Sequence, residues 1–242
     1  MENLTGVAIV TGSSSGMGAA IARRLAGAGM TVVVNSRSSV AAGEAVAAEI
    51  GGAYEQGDVS DEALADALVT RVVERFGRLD LLVNNAGTTV TVPQADLEGA
   101  TTEIWRRILD VNVLGTWHMS TAAVPHLKAS PEGHIVNISS LGGQRPIGSS
   151  IPYSVSKAGV DHLTRLLAST LGPEVRVNAI APGFVDTPWT AGWSEMREQV
   201  TSNIPLRRAG LPEDIADAVI GLHRSTYVTG QILAVDGGYH LR

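Results

Sequence analysis

Not one of the 242 residues is cysteine, so disulfides, thiolate nucleophiles and thiolate-held zinc are excluded. Charge is sparse: 18 Lys and Arg stand against 24 Asp and Glu, for a formal net charge of -6. The broad basic face needed to hold a phosphate backbone is therefore missing, and nucleic acid is not an expected partner. Long apolar runs are absent too. The first stretch is only Val7 to Val10 and the opening Met1-Glu2-Asn3 carries no basic segment, so neither a signal peptide nor a membrane anchor is expected. His-rich tracts, low-complexity blocks, fixed-period repeats and Pro- or Ser-rich linkers are lacking as well. These absences predict a cytoplasmic protein of one domain over residues 1–242, without a metal site.

Hydrophobic residues account for 44% of the chain. At this length a fold buries roughly 70% of its unfolded surface. Short aliphatic runs recur at Val7–Val10, Thr31–Val34, Leu79–Val83, His134–Ile138, Val175–Ile180 and Ile232–Val235, with a weaker one around Ala53 and Tyr54. Most are continuously apolar, the pattern of strands covered on both faces. Between them lie segments of helical spacing. Leu64, Leu68, Val72 and Phe76 follow one another at four-residue intervals after a candidate Ser60 cap, and an Ala- and Leu-rich stretch, Ala19–Ala28, stops at Gly29. The repeated strand–helix rhythm predicts a doubly wound α/β domain of Rossmann type, with about seven parallel strands and helices on both faces. In such a sheet, functional residues follow strands.

Directly after the first strand comes Thr11-Gly12-Ser13-Ser14-Ser15-Gly16-Met17-Gly18, leading into the Ala19 helix. Glycines allow a sharp turn and close backbone approach, while a helix N-terminus presents free N–H groups to an anion such as a pyrophosphate. With 27 glycines in the chain, one Gly-rich turn means little by itself; its place between strand and helix is what points to phosphate.

The spacing G-x-x-x-G-x-G resembles the turn of the short-chain dehydrogenase/reductase family, and further motifs follow in family order. They are Asp58-Val59, Asn84-Asn85-Ala86-Gly87, Asn112, Ser140, Tyr153 with Lys157, Pro182-Gly183 and Asp236-Gly237-Gly238. The resemblance implies a dinucleotide site built from Gly12, Ser14, Ser15, Gly16, Met17, Gly18, Asp58, Val59, Asn85, Ala86, Gly87, Tyr153, Lys157, Pro182, Gly183, Val185 and Thr187, with Asp58-Val59 at the adenine and Val185 and Thr187 at the nicotinamide carboxamide. It also implies a homotetramer joined through the Tyr153-bearing helix and its predecessor, where Ala158, Gly159 and Ala168 allow close approach. Two features depart from the family pattern: Leu4-Thr5-Gly6-Val7 lacks a preceding lysine, and the loop Leu222–Tyr227 is short.

The chemistry can be argued from the residues. Tyr153 and Lys157 stand four apart on a predicted helix, so one face carries both, and Ser140 follows the His134–Ile138 strand. A phenol with a pKa near 10 works poorly as an acid–base group at neutrality unless a cation favours its ionised form, a role assigned to Lys157. Ser140 can donate to a substrate oxygen. Asn112 lies inside an otherwise helical stretch begun near Thr101 or Thr102; by resemblance it sits at a helix irregularity and holds a water that relays protons from the lysine.

The second strand ends Val34-Asn35-Ser36-Arg37, with no acid to meet a ribose 2′-hydroxyl, whereas Arg37 can pair with a 2′-phosphate. NADPH is expected over NADH, although Arg37 as a solvated loop cation stays open. Trp189, Trp193, Met196 and Ile204 predict either a substrate lid over about 188–205 or a packed surface helix, and Thr88–Thr101 the opposite rim. The expected activity is hydride transfer between NADP(H) and a ketone/alcohol pair, with a small-molecule carbonyl partner, 3-oxoacyl thioesters foremost. An NAD-dependent alcohol, sugar or steroid dehydrogenase, and a dinucleotide-sensing protein without catalysis, are the alternatives.

Overall fold

The structure, a computed structural model, describes residues 3–241; Met1, Glu2 and Arg242, part of the expected domain span, lie outside the described residues. Seven strands form one sheet: β1 (Val7–Val10), β2 (Thr31–Ser36), β3 (Ala53–Gln56), β4 (Leu81–Asn84), β5 (His134–Ile138), β6 (Arg176–Pro182) and β7 (Ile232–Val235). They are ordered β3-β2-β1-β4-β5-β6-β7, and every neighbouring pair is parallel. Winding reverses between β1 and β4, which opens a crevice beyond their C-terminal ends.

The helices are α1 (Gly16–Gly27), α2 (Val40–Glu49), α3 (Glu62–Phe76), α4 (Thr102–Leu109), α5 (Gly115–Lys128), α6 (Ile151–Leu171), α7 (Ser194–Asn203) and α8 (Pro212–Arg224). Alternating residues of β1 serve two cores. Ala8 and Val10 pack with α1, α2 and α8, while Val7 and Ile9 pack with α3, α5 and α6. A strand covered on both faces needs apolar residues at every position, which accounts for the unbroken runs. Burial of a side chain such as Ile9, Leu82 or Ile135 contributes roughly 1.5–3 kcal/mol.

Two helix expectations need correction. Ser60 does not cap α3: its N–H and hydroxyl both donate to Asp58 Oδ1, at 3.0 and 2.7 Å, and Asp61 instead accepts from the N–H of Leu64. The buried face of α3 is Ala65, Leu68, Val69 and Val72, which leaves Leu64 at the solvent edge. By contrast α1 ends as read, with Gly29 at a φ of +111° just before β2. The short connection after α8 is held by Arg176, whose guanidinium donates to the carbonyls of Leu222, His223 and Ser225 at 3.1, 2.9 and 3.2 Å.

Helices α4 and α5 are continuous except for a π-helical segment at Asp110–Leu114, and α4 is capped by Thr101. No helix among the described residues is long and apolar enough to cross a membrane.

Candidate active site

The turn after β1 is braced from three sides. Ser13 Oγ donates to the carbonyl of Val10 at 2.6 Å and accepts from the N–H of Asn35 at 3.0 Å. Thr11 Oγ1 accepts from the N–H groups of Asn85 and Ala86, both at 3.0 Å. Asn85 Nδ2 donates to the carbonyls of Thr11 and Gly12 at 2.9 and 3.0 Å, so its side chain shapes the turn rather than reaching out to a ligand.

Glycine is required here by approach as well as by conformation. Gly12 has φ +62°, and a Cβ on Gly18 would lie 2.5 Å from Asn85 Nδ2 and 2.6 Å from the Gly12 carbonyl oxygen. Ser15, at the cap of α1, makes no side-chain capping bond. Its hydroxyl and the free N–H groups of the first turn therefore border a cavity of about 570 Å³, a cradle that fits a pyrophosphate.

Three of the four residues expected to carry chemistry meet at one end of this cavity. Ser140 follows β5 and its Oγ accepts from the N–H of Gly142 at 3.1 Å. Tyr153 lies in the first turn of α6, which Ser150 caps, and its phenol is hydrogen-bonded to Ser140. Lys157, one turn on, is 5% exposed; its Nζ donates to the Ile138 carbonyl at 2.8 Å and sits 5.8 Å from the centre of the Tyr153 ring.

The electrostatics depart from expectation. Burial pushes the Tyr153 phenol up, opposed by its bond to Ser140. The lysine is turned to Ile138, so in the protein alone the low dielectric outweighs any cationic pull on the phenol. Lys157 is itself lowered to about 8 by burial, against the opposing charge of Asp161.

Asn112 does not line the cavity. It sits in the π segment and its amide joins three elements: Oδ1 accepts from the Thr88 N–H at 2.8 Å, and Nδ2 donates to the Thr88 carbonyl at 3.0 Å and to Ser156 Oγ at 2.9 Å. A Cβ on Gly87 would lie 3.4 Å from Asn112 Oδ1 and 3.7 Å from Lys157 Nζ, which places the amide beside the lysine.

Every residue expected at the dinucleotide lines the same cavity, Arg37 included. Asn35 turns inward: its Nδ2 donates to the carbonyls of Glu55 and Gly57 at 3.1 Å. Arg37 reaches outward, 3.6 Å from Asp58. In the 188–205 segment, Trp189, Trp193 and Met196 line the cavity, whereas Ile204 is 2% exposed and turns to Gly237. Arg197 fastens α7 to Asp186 through two hydrogen bonds of 2.8 Å. Of the opposite rim only Thr88 and Thr89 face the cavity; Thr89 Oγ1 lies 2.5 Å from Ser149 Oγ.

Several residues escaped the sequence reading. Thr11 and Asn35 were legible only as part of a turn and a strand end. Asp161, four residues beyond Lys157, is 3% exposed; burial pushes its carboxyl up, hydrogen bonds from Ser139 and Gln144 oppose that, and its Oδ1 has no partner among the described residues. Its helical spacing from the lysine was the available signal. Arg107, Phe184 and Tyr239 also line the cavity, and nothing local in the sequence marks them.

Residues 12–240 match the family model described as enoyl-(acyl carrier protein) reductase. A Streptomyces violaceoruber protein named as ketoacyl reductase 2 of the granaticin polyketide synthase is 57% identical over 239 residues, covering 97% of this chain and 96% of that one. The 3-oxoacyl-[acyl-carrier-protein] reductase FabG of Thermotoga maritima is 37% identical over 241 residues, with 96% of each chain covered. Among solved structures, a Burkholderia xenovorans protein described as a short-chain dehydrogenase/reductase superimposes with a TM-score of 0.92 at 36% identity, over 98% of this chain and 99% of that one.

Proposed function

The chain belongs to the short-chain dehydrogenase/reductase family of nicotinamide-dinucleotide oxidoreductases acting on carbonyls and alcohols, and from that premise we propose that it is an NADPH-dependent carbonyl reductase. The names of its relatives make 3-oxoacyl thioesters the first substrates to try. The observation that carries the reading is the meeting of Ser140, Tyr153 and Lys157 at one end of the cavity that the glycine turn borders.

The glycine turn and the residues after β4 and β6 would hold a nicotinamide dinucleotide, which when bound would supply hydride to a carbonyl carbon. Tyr153 gives its phenolic proton to the oxygen as that oxygen gains negative charge, and Ser140 holds the same oxygen by hydrogen bonding. Burial suits this direction, because a phenol pushed up stays protonated and ready to donate. Lys157, at about 8, exchanges protons near ambient pH and refills the phenolate. Asn112, its amide tied to Thr88 and Ser156, would position the backbone beside the lysine's end of that path.

Arg37 supports NADPH: it is a cation at the end of β2, its pairing with Asp58 is long and solvent-exposed, and a 2′-phosphate offers a better partner. The lid-like 188–205 segment, a single catalytic domain and a cytoplasmic location complete the proposal. Exposed Leu114, Trp117, Val155 and Leu166 on or beside α5 and α6 support a tetramer joined through those helices.

The test is reduction of a ketone panel with NADPH, followed by absorbance of the reduced ring. Turnover that Tyr153→Phe abolishes while NADPH still binds supports the reductase; binding without turnover on any carbonyl favours the sensor. For the cofactor, Arg37→Ala should weaken NADPH and spare NADH. Equal losses would refute the phosphate role.

A further inference from the structure

The chain has ten aromatic residues in all, four Trp, four Tyr and two Phe. Five of them, Trp189, Trp193, Tyr153, Tyr239 and Phe184, line this one cavity. From that concentration we infer that the carbonyl reduced here belongs to a flat, uncharged ring system rather than to a flexible linear acyl chain. The inference rests on the carbonyl-reductase reading and narrows its substrate.

These aromatic residues come from separate parts of the chain. Tyr153 stands on α6 and Phe184 follows β6. Trp189 and Trp193 lie before α7, and Tyr239 lies in the turn after β7. No single packing need of one helix collects them. Trp189 is 46% exposed and Met196 is 39% exposed, so apolar surface is held open at the cavity rather than spent on the core. The exposed apolar residues of α5 and α6 form a separate face, on elements that lack these tryptophans.

Charge points the same way. The charged side chains lining the cavity are Arg37, Asp58, Arg107 and Lys157. The first two lie at the end of β2 and after β3, Arg107 lies one helical turn before Val111, and Lys157 belongs to the proton path. None comes from the 188–205 segment or from the turn after β7, so Trp189, Trp193, Met196 and Tyr239, which those segments bring to the lining, offer faces for stacking without a charged partner for a carboxylate or phosphate. A rigid planar ring fills such a lining with little loss of rotational freedom, which a linear chain would have to give up.

The test compares 2-tetralone, a ring-fused ketone, with the N-acetylcysteamine thioester of acetoacetate, a linear 3-oxoacyl probe, using the full chain and NADPH. The expected result is a kcat/KM at least about tenfold higher for 2-tetralone. Trp189→Ala and Trp193→Ala should each raise the KM for 2-tetralone about tenfold while changing that for the linear probe less than about threefold. Trp189→Phe should restore most of the loss, and NADPH titration of each variant checks that the fold is kept. Equal or better use of the linear probe, or equal losses on both probes in the alanine variants, overturns the inference and leaves the reductase standing. Turnover of neither ketone by wild-type protein that binds NADPH overturns both.

Discussion

Lys157 Nζ donates to the carbonyl oxygen of Ile138 at 2.8 Å, tying the last residue of β5 to the second turn of α6. With the bonds from Ser139 Oγ to the Lys157 carbonyl at 3.2 Å and from Asn137 Nδ2 to Thr164 Oγ1 at 2.9 Å, that bond holds the strand that delivers Ser140 and the helix that delivers Tyr153 in fixed relation. It also holds the lysine to a backbone dipole rather than to the phenol, and this governs how the site should respond to pH.

Because burial raises the Tyr153 phenol above its usual value, its protonated form persists through neutral pH. Ketone reduction uses that form and should hold steady through neutrality, then fall in alkali. Alcohol oxidation uses the phenolate and should rise with pH over the same range. Steady-state kcat/KM profiles in both directions check this; parallel profiles would rule out Tyr153 as the shared acid and base. In Tyr153→Phe, kcat should fall by about 10²–10⁴.

Gly18→Ala should abolish dinucleotide binding. The new methyl would sit 2.5 Å from Asn85 Nδ2 and 2.6 Å from the Gly12 carbonyl, forcing the brace of the turn apart. Overpacking of this kind costs about 1–3 kcal/mol. Isothermal titration with NADPH, alongside a thermal melt, separates lost binding from lost folding.

Asn112→Ala leaves the Thr88 N–H and carbonyl and the Ser156 hydroxyl without their shared partner. The N–H and carbonyl lie in a partly buried place, so unfolding free energy should drop by about 1–3 kcal/mol. Asn112→Asp keeps the acceptor for Thr88 and loses both donated bonds, so it should fall between alanine and wild type in urea melts.

Far from the cavity, His134 of β5 and His223 of α8 stack with Nδ1 atoms 3.3 Å apart, and Asn178 Nδ2 lies 3.0 Å from His134 Nε2. If Nε2 accepts from that amide, His134 Nδ1 carries the proton and donates to His223, whose Nε2–H then has no partner among the described residues. Burial, with Arg176 nearby, lowers His223 to about 4. The folded protein therefore prefers the neutral ring, while the unfolded chain takes up a proton below pH about 6.5. Stability should be full above that pH and decline as pH falls to about 4, by about 3 kcal/mol from His223 alone. Urea melts from pH 7 to pH 4 measure the slope, and His223→Leu should flatten it.

Much of this architecture could be read locally. The continuous apolar runs announced strands covered on both faces, and the glycine spacing between a strand and a helix located the anion cradle, because both depend on short-range sterics and periodicity. The α3 cap was misplaced by one residue since Ser60 and Asp61 are both good caps, and only the competing bond from Ser60 to Asp58 decides between them. Asn85 lines the cavity as expected, and its amide also braces the turn, a pairing across 74 residues that no local pattern encodes.

The amino-acid order by itself determined a doubly wound α/β class and a glycine turn between β1 and α1, because apolar runs and turn spacing are local, while Ser140, Tyr153 and Lys157 stand out in it only through family-ordered motifs. Only the folded chain decided how acidic those side chains are and what surrounds them. Burial and long-range contacts set the phenol and the lysine, and residues as distant in the chain as Tyr153 and Tyr239 line one cavity.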